Sequence, residues 1–150
     1  MNAQPPGLGE YLSPGPVQTR LLHKMAAGHA YQRHGAELGL TRPAHRTEVR
    51  KHLSSAQLGF EVTGRDGRPR YLVSDPGTNR LAWVNPHAEH RSTFFSPRDD
   101  VITYMRRTQV QKPLDRWRTI DLRAERTRGQ ASHRIMSTSR GAADRPGPER

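Results

Sequence analysis

The sequence predicts an α+β domain, with helices packed on one face of a four-stranded antiparallel meander. Three observations predict it. Apolar residues recur at helical spacing through the first third of the chain, with Leu22, Met25, Ala26 and Ala30 in one run and Val49, Leu53 and Ala56 in a second. After Gly59 the period shortens to strand-like segments. Turn-forming words, "RDGRP", "DPGTN" and "NPHAEH", then punctuate those segments.

Taken in order, the first helix is expected over Thr19–Leu38, with Gly39 as its stop. The second starts at Thr41, takes Pro43 in its first turn and ends at Gly59. "FEVTG" and "RYLVSD" flank Asp66-Gly67, a strong hairpin signal. "RLAWV" and "RSTFF" complete four strands in series. Ser96-Pro97-Arg98-Asp99 combines an N-cap residue, proline at the first helical position and acid in the first turn. It predicts a short last helix to about Arg107, with Val101, Ile102 and Met105 facing inward. No internal repeat is visible.

Hydrophobic residues make up only 32% and the mean hydropathy is −0.92, so a core spread over all 150 residues is not expected. Residues 1–18 hold four prolines and three glycines and read as a disordered lead-in. Residues 111–150 hold ten basic and five acidic residues and read as a largely disordered basic tail, with room for a short helix around Trp117 to Arg126. The folded domain is therefore expected over 19–110, which itself carries a net charge of +7.

Charge narrows the function. The chain carries +11 with a pI near 11.3, and every basic residue except Lys24, Lys51 and Lys112 is an arginine. Guanidinium groups fork onto phosphates and stack on bases, so nucleic acid is the expected partner. The absence of cysteine excludes disulfide frameworks, thiolate metal sites and cysteine nucleophiles. No run nears the ~18 apolar residues of a membrane span, and the N-terminus lacks a signal-peptide pattern. The expected site of action is the cytoplasm, reached without a Sec signal should the chain be delivered or secreted.

Eight histidines offer acid–base chemistry. His29 and His34 stand five apart, about 500° around a helix, which does not suit a helical zinc pair. His29 borders the apolar stripe, and His34 suits a helix C-terminal turn. His45 and His52 are expected to face solvent. His87 and His90 flank Glu89 in the turn before the fourth strand, half a metal site with no third ligand. No metal and no cofactor is therefore expected. A histidine there can instead move a proton, while Arg91 offsets charge on a phosphate. Strand alternation would put Arg91, Thr93 and Phe95 on one face, and Ser92 and Phe94 on the other.

The words "HAYQRHGAELG", "YLVSDPGTNRLAWV" and "RSTFFSPRDDVITYM", in that order, resemble the metal-independent ribonucleases of the barnase–EndoU–colicin–RelE superfamily. The likeness is to the C-terminal nuclease domains of bacterial polymorphic and contact-dependent toxins, and it covers about residues 25–105. Arg33 stands where that family often has lysine, and "NPHAEHR" where it often has a glycine turn. The resemblance implies an endoribonuclease toxin acting on RNA, tRNA foremost, through attack by the 2′-hydroxyl to leave a 2′,3′-cyclic phosphate. His29 would be the base, His34 or His90 the acid, and Thr93 a hydrogen-bond donor. Arg33 and Arg91 would hold the phosphate, with His87 and Arg80 as further substrate contacts. A monomer when free and an acidic antitoxin or immunity protein as inhibitor are expected. The rival expectation is a non-catalytic nucleic-acid-binding protein of a phage or mobile element, with a purely structural partner-binding protein behind it.

Overall fold

The computed structural model describes residues 4–28, 31–32 and 37–131. The chain begins not with a loose lead-in but with α1 (Leu8–Leu12), which buries Leu8, Tyr11 and Leu12. α2 follows over Pro16–Ala27, three residues ahead of the expected start. The N-terminal prolines mislead because Pro16 sits at the first position of α2, where its missing N–H costs nothing. α2 ends at Gly28, well short of Leu38. Gly39 (φ 70°) takes the left-handed conformation just before the next helix.

α3 (Arg42–Ser55) is capped by Thr41, whose side chain accepts from the Ala44 N–H at 3.3 Å. Val49, Leu53 and Ala56 are fully buried, as their spacing predicts. His45 and His52 are not on the solvent side: they are 0% and 6% exposed. Seven residues are nearly two whole turns, so the spacing that puts Val49 and Leu53 inside brings both rings with them.

β1 (Leu58–Thr63), β2 (Pro69–Asp75), β3 (Arg80–Val84) and β4 (Thr93–Phe95) form the expected antiparallel meander. Gly67, at φ 72°, supplies the β1–β2 turn. A fifth strand, β5 (Arg116–Ile120), pairs with the outer side of β1, giving the order β4-β3-β2-β1-β5. A helix over 122–131, here α5, then packs Leu122 into the core. So residues 111–131 are not tail. Their signal is faint because "RWRTI" is an edge strand with three exposed residues and one buried aliphatic.

Helices cover both faces of the sheet, not one. Against the first face, α1, α2, α3 and Leu122 pack on Val73, Ala82, Val84, Phe94 and Ile120. α4 (Val101–Gln111) packs on the opposite face, where Val101 and Met105 meet Leu72 and Leu81. Its N-cap is Asp100 rather than Ser96: the Asp100 carboxylate accepts from the Thr103 N–H at 2.8 Å. Residues 96–99 instead tie to the β2–β3 turn. Ser96 Oγ donates to the Asn79 carbonyl at 2.7 Å, and Asn79 Oδ1 accepts from the Val101 N–H at 3.0 Å. Val101 and Met105 stand one turn apart on the buried side, and Ile102, about 100° around the helix from Val101, faces outward, 36% exposed.

α5 is locked down at two points. The Arg126 guanidinium donates to the Leu53 carbonyl at 3.1 and 2.9 Å and to the Ala56 carbonyl at 2.6 Å, closing the C-terminus of α3. Gly9 of α1 and Gly129 of α5 bring their backbones together so closely that a Cβ on either would overlap main-chain atoms of the other helix.

Candidate phosphate-binding cleft

Three connections meet at one end of the sheet: the β1–β2 turn, the β3–β4 link and the segment from α4 to β5. Between them lies a cleft of about 340 Å³. Arg65, Arg68, Arg70, Arg91 and Lys112 line it together with His87, against only Asp66 and Asp115. Both carboxylates are already engaged. Asp66 Oδ1 accepts from the Arg68 N–H at 3.0 Å, an Asx turn that shapes the hairpin tip. Asp115 Oδ2 accepts from Arg70 Nη2 at 3.2 Å. The cleft therefore presents a net positive field to solvent, the condition for collecting a polyanion.

The wall bearing His87 and Arg91 is firmly held. Asn85 Oδ1 accepts from the His87 N–H at 3.1 Å, and the Asn85 N–H donates to Ser92 Oγ at 3.0 Å. A single 3₁₀ turn, Glu89–Arg91, follows. Its Glu89 carboxylate is buried and accepts from Tyr11 Oη at 2.5 Å, Arg20 Nε at 2.8 Å and Nη2 at 2.6 Å, and Lys24 Nζ at 2.9 Å. Burial alone would raise the Glu89 pKa, but these hydrogen bonds outweigh it and hold it at about 2. The same contact, added to burial, pushes the Tyr11 hydroxyl well above its usual range. A carboxylate that looked like half a metal site is thus an anchor fixing the turn to α1 and α2. Among the described residues no cluster of three histidine or acidic side chains is placed to hold a metal ion.

The expected site residues are divided. His87 and Arg91 line the cleft together. His90 is exposed on the same turn but does not line it. Arg91 lies in the 3₁₀ turn rather than in the strand, so strand alternation does not carry it onto the face of Thr93. Thr93 pairs with Trp83 and shares the α4 side of the sheet with Phe95, whereas Phe94 points into the opposite core. Arg80 is no part of the cleft: it pairs with Glu48 of α3 at 3.5 Å and lies over the Phe94 ring. His29, Arg33 and His34 lie outside the described residues.

Arg65, Arg68, Arg70 and Lys112 join the cleft without a site motif of their own; the local signal for them is "RDGRPR", which sets three arginines around one tight turn. His45 and His52 serve the core instead. Burial, then the charge of Arg46, lowers the His45 pKa; its ring lies between Tyr31 at 5.4 Å and Phe94 at 6.0 Å. Burial also lowers that of His52, whose Nε2–H donates to the Val73 carbonyl at 2.8 Å.

No family model, curated relative or solved structure matches the chain. Among the described residues, no helix is long and apolar enough to cross a membrane.

Proposed function

We propose that the protein binds the sugar–phosphate backbone of RNA in this cleft. The observation that carries the reading is the convergence of four arginines and a lysine, from three connections and the start of β2, onto one concavity that holds only two carboxylates, one of them bound to Arg70 and the other to a backbone N–H. Arginine forks match phosphate oxygens, and neutralising successive phosphates releases counterions, so affinity is salt-dependent. The test is a comparison of wild type with Arg65→Ala/Arg68→Ala/Arg91→Ala on a labelled RNA. The expected result is a loss of at least about tenfold at 100 mM salt, within the range of several lost phosphate contacts. Equal affinity would overturn the reading.

Endoribonuclease action is the second reading, favoured by the presence of an imidazole, His87, beside Arg91 in the cleft. His87 would take the proton of a 2′-hydroxyl as that oxygen attacks the adjacent phosphorus, and Arg91 would offset the charge growing on the phosphoryl oxygens. The 5′-oxygen would leave with a proton drawn from a water molecule, His87 would return its proton to the resulting hydroxide, and the product would end in a 2′,3′-cyclic phosphate. General acid–base help of this kind contributes about 10²–10⁴-fold. Total RNA incubated in EDTA with wild type should therefore yield cyclic-phosphate ends, and His87→Ala should slow their release by about that factor. Binding without any cleavage by wild type would remove the catalytic reading and leave the binding one. An acidic inhibitor would occupy the same cleft by the same charge complementarity.

A further inference from the structure

Beside the cleft, the α4 face of the sheet holds an aromatic surface that packs against the core yet keeps part of each ring in contact with solvent. Phe60 of β1, Trp83 of β3 and Trp117 of β5 are each only partly buried. The Trp117 ring meets Phe60 edge-on at 5.4 Å and Trp83 at 6.1 Å. α4 covers the β2–β3 part of this face, and its Tyr104 Oη accepts from Trp83 Nε1 at 3.0 Å. Trp117 Nε1 is itself buried and has no acceptor among the described residues. Neither full burial nor a hydrogen bond of its own accounts for tryptophan at this place on an edge strand.

One side chain joins this surface to the cleft. Arg70 lines the cleft and donates to Asp115, while its guanidinium carbon lies 4.6 Å from the centre of the Trp83 ring. Cationic groove and aromatic surface are therefore continuous, with Arg70 belonging to both. That pairing is the physical requirement for an unpaired strand: phosphates track the charge and bases stack on exposed rings. A duplex keeps its bases stacked on one another and can offer the rings nothing.

We infer that Trp117, with Phe60 and Trp83, is a base-stacking platform that makes the cleft select single-stranded nucleic acid. This inference rests on the backbone-binding reading of the cleft. The chain has just two tryptophans, and both lie in this surface, so intrinsic fluorescence reports on it directly. Wild type is titrated with a short oligouridylate, with an abasic ribose-phosphate strand of equal length, and with a duplex of equal length. The uridylate should quench tryptophan emission and bind at least about fivefold tighter than the abasic strand, the effect of one stacked base. Trp117→Leu should erase that difference while leaving abasic binding unchanged, and Trp117→Phe, which keeps a ring, should retain most of it.

Equal binding of the uridylate and abasic strands without quenching overturns the platform, and the cleft reading survives if Arg65→Ala/Arg68→Ala still weakens both. Failure of every strand to bind overturns the cleft reading and the platform with it. A second copy of the chain is the other candidate occupant. Concentration-dependent dimerisation abolished by Trp117→Leu would assign the rings to self-association and overturn the inference.

Discussion

On one face of the sheet α1, α2, α3 and α5 close over Val73, Ala82, Val84 and Phe94 until all four are out of water. On the other face α4 seals Leu72 and Leu81 but leaves Phe60, Trp83 and Trp117 only partly buried beside a cationic cleft. The two faces share strands, backbone hydrogen bonds and pleat. They differ in what lies on top. The closed face also takes in polar groups that serve the architecture: His52 donates to Val73, Gln18 Nε2 to the Tyr11 carbonyl, and Glu89 gathers Tyr11, Arg20 and Lys24. The open face has fewer such ties, Arg70 to Asp115 and Trp83 to Tyr104 among them, and leaves cleft arginines and ring edges in reach of solvent. Stability should therefore respond to changes on the first face and ligand binding to changes on the second.

The largest effect on stability is expected from Phe94→Ala. Phe94 is fully buried, between the rings of His45 and His52, and its removal should cost about 3–5 kcal/mol in urea unfolding. RNA affinity per folded molecule should not change. A loss below 1 kcal/mol, roughly that of an average substitution, would mean the closed face is not the main core.

Next comes Glu89, which connects the faces by tying the cleft wall to α1 and α2. In Glu89→Ala the buried Tyr11 hydroxyl loses its acceptor, at a cost of about 1–3 kcal/mol, and the His87–Arg91 turn loses its anchor. The pH dependence has a definite sign. The folded-state pKa of about 2 lies below the ordinary 4.5, so the unfolded chain binds the proton more readily. The contribution of Glu89 is complete above about pH 4.5 and fades as pH falls towards 2. Urea midpoints measured across that window should drop more steeply for wild type than for Glu89→Gln, and parallel curves would rule out the anchor.

A smaller effect should arise from the two buried histidines. Their pKa values are lowered from 6.5, so protons bind the unfolded chain first and stability declines as pH falls below about 6.5. His45→Phe should flatten that decline, measured by thermal unfolding between pH 7 and 5. An unchanged slope would mean that His45 binds its proton equally well in the folded and the unfolded chain. Smallest of all, Trp117→Leu should cost only about 1 kcal/mol, since the edge-strand ring is only partly buried and leucine keeps part of its apolar contact. A loss as large as that of Phe94→Ala would show that both faces are core.

The legible parts of the fold were those with two agreeing local signals. α3 carries a threonine cap, a first-turn proline and an apolar stripe; the β1–β2 hairpin carries Asp66-Gly67 between alternating segments. Illegible were elements whose signal depends on distant partners. Tyr11 and Leu12 read as part of a proline-rich lead-in until α5 and Glu89 surround them. β5 has one buried aliphatic and gains its strand status from pairing with β1. For the site, the 85–91 turn drew notice through His87 and Arg91, but the arginines opposite were hidden inside a hairpin signal. Polarity points His45 and His52 outward, but their spacing matches the stripe of Val49 and Leu53, and the packing follows the spacing.

The most direct test of the cleft is the salt dependence of RNA binding in two variants of equal net charge. One is Arg65→Ala/Arg68→Ala/Arg91→Ala in the cleft; the other is Arg50→Ala/Arg106→Ala/Arg123→Ala, three exposed arginines that do not line it. Each phosphate contact on a single strand contributes about 0.7 to the slope of log affinity against log salt. The cleft variant should lose about 2 from the wild-type slope and the control almost nothing. Equal losses in both would show that RNA senses only the overall charge of the protein, and the cleft would have no claim to be its site.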